Sequence, residues 1–113
     1  MENSILNDVK KMLGIDSSYT HFDLDLIILI NSALATLAQL GVGPAEGFSI
    51  TSSNEVWSDF LEEAMNLEMV KEYVYLKVRL IFDPPSSGGV IEAYRNEIAE
   101  LEWRINSQVD YEW

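Results

Sequence analysis

A chain of 113 residues without cysteine is long enough for one self-contained core, and it excludes disulfide frameworks, zinc–thiolate sites and thiol nucleophiles. Seven basic residues against nineteen acidic ones give a net charge of −12, the reverse of a surface that holds phosphates, which argues against tight nucleic-acid binding. The start, MENSILNDVKKML, follows neither a secretory nor a transit pattern, and the longest dense apolar run, LIILI at 26–30, is too short to cross a bilayer, so a chain soluble in water is expected.

Helical periodicity marks the chain in four places. In the first, about Ser4 to Leu13, Ile5, Leu6, Val9, Met12 and Leu13 recur at steps of three and four, and Gly14 supplies the stop. The second opens on Thr20 and Asp23 in the spacing of a capping box, where hydroxyl and carboxylate each satisfy a backbone N–H, and runs to about Leu40. Its polar residues Asp25, Asn31, Ser32, Thr36 and Gln39 form one narrow stripe, which predicts the central helix of a bundle. Gly41, in a left-handed cap, and Pro44 end it.

Beyond that stop, Phe48 and Ile50 alternate with polar residues as in a short edge strand or extended arm, and one helical turn is expected around Val56 to Leu61. Residues 43–66 hold Glu46, Glu55, Asp59, Glu62 and Glu63 and no lysine or arginine. The stretch 42–65 therefore reads as a long acidic loop, ordinarily a solubilising one.

The third helix begins near Asn66 and carries Met69, Val70, Tyr73, Val74, Val78 and Ile81 on one face. Asp83-Pro84-Pro85 forces it to end near Phe82, since proline lacks the N–H and disfavours helical geometry in the residue before it. SSGG then permits a reversal into the fourth helix, where Val90, Ile91, Tyr94, Ile98, Leu101, Ile105 and Val109 share a face. A hairpin turn needs one proline; the second stiffens the corner, which suits a corner that meets a partner. Glu100 and Arg104 form a favourable i, i+4 pair. Residues 107–113 leave the periodicity and read either as a frayed tail or as a segment that orders on contact.

Together these segments predict an all-α fold: a small antiparallel helical bundle of about four helices, with a long loop or short extended arm between helices two and three, in a single domain over 1–113. Catalytic chemistry finds little footing. His21 is the one imidazole and has no nucleophile spaced to meet it. Asp23 and Asp25, two residues apart, point in different directions on a helix, and the calcium-loop pattern is missing. No catalytic, cofactor-binding or metal residue is expected.

The stretches INSALATLAQLGVGP, FSI, VWSDF, VKEYVYLKVRLIFDPPSS and ELEWRIN, in that order over residues 22–106, resemble the head-tail connector, or adaptor, proteins of tailed bacteriophages. The most specific pair is YLKVRLIFDPP followed by ELEWR. The resemblance implies a structural virion protein, made in the host cytoplasm, that forms a ring of about a dozen copies closing head to tail. It implies a ring beneath the portal that extends the DNA channel and offers the attachment site for a tail-completion or stopper protein. DNA would pass without specific binding, and no membrane would be involved.

Under that reading Trp57, Phe60 and Trp103 are candidate anchors for a neighbouring subunit, each with the alternative of folding back into the core. Phe48 to Ile50 could add to a neighbour by strand pairing. Asp83, Pro84 and Pro85 form the candidate corner contact, and Tyr111 and Trp113 the candidate tail contact. Glu55, Asp59, Glu62 and Glu63 are candidates to face the channel, where carboxylates repel phosphates. The competing reading from residues alone is a small cytoplasmic helical interaction module or regulator.

Overall fold

Helix α1 spans Ile5–Met12, and Ser4 caps it as its hydroxyl oxygen accepts from the Asn7 N–H at 2.9 Å. A computed structural model describes residues 4–44, 46–61 and 67–111, with side chains as far as Ser107. Within them α2 is Asp23–Gln39, α3 Trp57–Phe60, α4 Leu67–Phe82 and α5 Gly88–Tyr111. The described residues form no strand; a single antiparallel bridge joins Ser4 to Val56. Phe48 and Ile50 thus lie outside any strand or helix.

The stop after α2 follows from glycine. Gly41 takes φ 92°, its N–H bonds to the Ala38 carbonyl at 3.0 Å, and the Val42 N–H reaches the Leu37 carbonyl at 2.9 Å. This is the paired closure in which a left-handed residue lets the chain satisfy the last free carbonyls, while buried Val42 and Leu37 meet beneath it. Two residues on, Gly43 at φ 93° lies against the Phe60 ring, and a Cβ there would fall 2.5 Å from Phe60 Cε1. The GVG sequence therefore serves two ends, a helix stop and a seat for an aromatic ring.

Among the described residues the most extensive helix contacts are α2 with α4 and α4 with α5, followed by α1 with both α2 and α4. Helix α4 is thus the centre, not α2 as the polar stripe suggested. The reason is visible on α2, where Leu24 and Ile28 are 70 % and 59 % exposed: one apolar flank is left in water. On α4, Val70, Tyr73, Val74, Leu76 and Val78 are buried, but Ile81, expected on the same face, is 68 % exposed. Helix α5 contributes Ile98, Leu101 and Ile105 to the core.

The corner forms where the prolines require it, with α4 ending at Phe82. Helix α5 starts at Gly88, two residues before the expected Val90, because its opening turn needs no apolar residue: the Ile91 N–H already bonds to the Ser87 carbonyl at 3.0 Å. Tyr73 meets Glu102 and Arg79 meets Tyr94, so α4 and α5 run in opposite directions. The helix continues to Tyr111, through most of the stretch expected to fray.

Candidate functional site

Polar contacts between elements fix the surfaces that α2, α4 and α5 present. Lys10 is 1 % exposed, and its ammonium donates to Asp23 Oδ1 at 2.8 Å and to the Ser17 carbonyl at 3.1 Å. The expected Thr20–Asp23 capping box is therefore not made: Phe22 is the N-cap, with no side-chain cap bond, and the Asp23 carboxylate turns to the buried cation. A charge taken out of water demands a partner more strongly than a helix N-terminus demands a cap. Lys10 lies four residues after Leu6 and three before Leu13, on the edge of the α1 apolar stripe, and that register was the signal in the sequence.

Asp8 Oδ2 accepts from Trp57 Nε1 at 2.8 Å and lies 3.3 Å from Lys71 Nζ, which stands 5.7 Å from the centre of the Trp57 ring. This cluster ties α1, α3 and α4 together across 49 positions of sequence. Across α4 and α5, the buried Tyr73 hydroxyl donates to Glu102 Oε2 at 2.7 Å, and burial with that carboxylate pushes the phenol well above its ordinary range. Burial also raises the Glu72 carboxyl, which shares a hydrogen bond with Glu97 and feels its charge, against the opposing pull of Arg104.

Several residues expected at an assembly interface lie inside the chain. Trp57 and Phe60 are 1 % and 3 % exposed and belong to the core, with Phe48 packed on Phe60 at a ring separation of 5.4 Å. Ile50 is buried, its N–H donating to Asn31 Oδ1 at 2.7 Å and its carbonyl accepting from Asn31 Nδ2 at 3.0 Å. The side-chain amide of α2 thus occupies the hydrogen-bonding edge that a neighbouring strand would need at this residue.

Glu55 and Asp59 also have local partners. Glu55 accepts from the Thr51 N–H, the Thr51 hydroxyl and the Ser52 N–H. Partial burial opposes its charge, and those bonds outweigh it, holding the carboxyl below its usual range. Asp59 Oδ2 accepts from the Val56 N–H at 2.9 Å and so closes the start of α3. Glu62, Glu63, Trp113 and the side chain of Tyr111 lie outside the described residues.

Apolar side chains remain exposed at several places, among them the surroundings of the corner and Trp103. Asp83 and Pro84 are exposed and Pro85 half-buried at the corner, where Arg79 Nη1 donates to the hydroxyls of Tyr75 and Tyr94. Beside the corner, Ile81 rises as a ridge between two shallow clefts. Asp25, Ile28, Leu29 and Phe82 complete one of about 300 Å³, and Lys77, Leu80, Arg95 and Ile98 one of about 340 Å³. Trp103 is 70 % exposed on α5. A surface tryptophan with so much area in water is the kind of side chain that anchors partners.

His21 packs edge-on against Phe22 at 4.8 Å, in a ring cluster that continues to Phe82. Among the described residues no group of three or more His, Cys, Asp or Glu could hold a metal ion, and no helix is long and apolar enough to cross a membrane.

The family model described as phage connector protein matches residues 5–112. The chain belongs to the phage connector protein family. No curated protein and no solved structure matches it. This connector family is structural and its members join other head and tail proteins of the particle. On this connector chain Trp103 and Ile81 are exposed, and Trp57 and Phe60 are buried in the core.

Proposed function

We propose that this connector chain is the adaptor subunit of a tailed-phage virion, forming a homo-oligomeric ring beneath the portal that extends the DNA channel and receives the tail-completion or stopper protein. The family match over 5–112 carries the proposal. The acidic balance supports it, since a lumen of carboxylates lets DNA slide without the counterion exchange that makes it stick. Glu55, Asp59, Glu62 and Glu63 are proposed to face that lumen; normal DNA ejection by a virion with all four reversed to lysine would remove them from the role. The corner at Asp83, Pro84 and Pro85 and the end of the chain at Tyr111 and Trp113 are proposed to meet the portal or the next tail component.

The test is to add the purified chain to purified portal rings and follow them by size-exclusion chromatography with light scattering. Co-elution with the portal at several copies per ring is expected. A chain that elutes apart from the portal at all concentrations contradicts the adaptor role.

A further inference from the structure

We infer that the cleft beside Ile81 receives Trp103 of a second copy of this chain, so that the subunits associate head to tail through two different faces of the α4–α5 hairpin. The inference rests on the proposed self-assembly and adds the surfaces that carry it. Its first support is the chemistry of the cleft. Leu80, Ile81 and Ile98 make an apolar floor, and Lys77 and Arg95 flank it.

In a chain of net charge −12 these two cations are conspicuous. Lys10, Lys71 and Arg104 each face a carboxylate. Among the described residues Lys77 and Arg95 form no salt bridge, and Lys77 only stands over its own Tyr73 ring at 5.8 Å. An apolar cleft edged by two such cations suits an aromatic ring on an acidic partner: guanidinium and ammonium groups favour the indole face, and a second copy of this chain brings a net charge of −12.

Trp103 meets that description. It is 70 % exposed, on a chain whose acidic residues outnumber its basic ones by nineteen to seven. The cleft, about 340 Å³ in volume, has room for an indole. Trp103 also stands on another side of α5 from the cleft. It is two residues from each of the buried Leu101 and Ile105, about 200° around a helix, so it points away from the core. Made head to tail, a contact between knob and hole leaves one of each open at the ends, so it propagates from copy to copy and closes where the rotation closes.

The absence of cysteine from the chain makes the test clean. Ile81→Cys and Ala99→Cys, the latter one helical turn before Trp103 and leaving that side chain in place, are made singly at exposed positions that the core does not use, and treated with a short bismaleimide in the presence of portal rings. A covalent dimer is expected when the two variants are mixed, and none from either variant alone. Trp103→Ala in an otherwise unaltered chain is expected to weaken assembly about 30-fold, as loss of a central interface tryptophan does, while leaving its circular dichroism unchanged.

Assembly on the portal without the mixed cross-link overturns these surfaces and leaves the adaptor reading standing. With both cysteines in one chain, a ladder of cross-linked species beyond the dimer is expected; cross-linking that stops at the dimer, or that arises from one single variant alone, shows a two-fold contact and overturns the head-to-tail arrangement. A chain that does not associate with itself at all overturns both.

Discussion

Lys10 and Asp23 offer the sharpest energetic test of the fold. Replacing Asp23 with alanine leaves an ammonium that is 1 % exposed with the Ser17 carbonyl at 3.1 Å and without its carboxylate. Breaking a buried ion pair from one side costs about 3–5 kcal/mol. The Asp23 side chain is 26 % exposed, so water reaches into the space it vacates, and the lower end, about 3 kcal/mol, is expected. Against a total of about 5–15 kcal/mol this is a large fraction, and it should lower the melting temperature by roughly 10 °C for a domain of this size. Lys10→Met leaves Asp23 partly solvated in the first turn of α2, where the helix dipole favours a negative charge, and should cost about 1 kcal/mol. The double variant Lys10→Met/Asp23→Ala should then be more stable than Asp23→Ala alone, because it removes the stranded charge. Urea unfolding followed by far-ultraviolet circular dichroism measures all three, and the double-mutant cycle isolates the pair. An Asp23→Ala variant within about 0.5 kcal/mol of the unaltered chain, or a double variant no more stable than it, would refute the argument that a buried cation redirects Asp23 from its cap.

Two further outcomes are expected. Asn31→Ala removes both bonds to Ile50 and leaves its buried N–H unpaired, so stability should fall by about 1–3 kcal/mol and the Ile50 amide should exchange hydrogen faster; an unchanged exchange rate would show that this segment is held by packing alone. Glu72 has a carboxyl raised in the fold, so its contribution is present below the ordinary carboxyl range and is lost as pH rises through the raised value. Glu72→Gln, which can still donate to Glu97, should therefore stabilise the chain at pH 7 and lose that advantage below about pH 4; a gain that persists in acid would contradict this sign.

The helices were legible because their stops are written in residues with no alternative. Gly41 and Pro84-Pro85 end α2 and α4 by backbone chemistry that tertiary contacts rarely override. Which flank each helix buries was less legible. Ile81 keeps the spacing of Val74 and Val78 yet is exposed, while the next residue, Phe82, packs on Phe22 at the start of α2 with ring centres 5.2 Å apart. The narrow polar stripe of α2 made it look central, but Leu24 and Ile28, apolar by composition, are exposed in the single chain. The same limit applied to the candidate assembly residues. Trp57 finds Asp8 from 49 positions away, a contact no local pattern announces, whereas Trp103 stood off the apolar stripe of its helix and is exposed there.

The central claim is that this chain does its work as a structural part of the particle, between head and tail. The most direct measurement is electron microscopy and plaque titre of phage produced with its coding sequence interrupted by a stop codon, with and without the protein supplied in trans. The account predicts DNA-filled heads separate from free tails and loss of infectivity, both restored by the supplied chain. Complete, infectious particles at normal titre in its absence would contradict it.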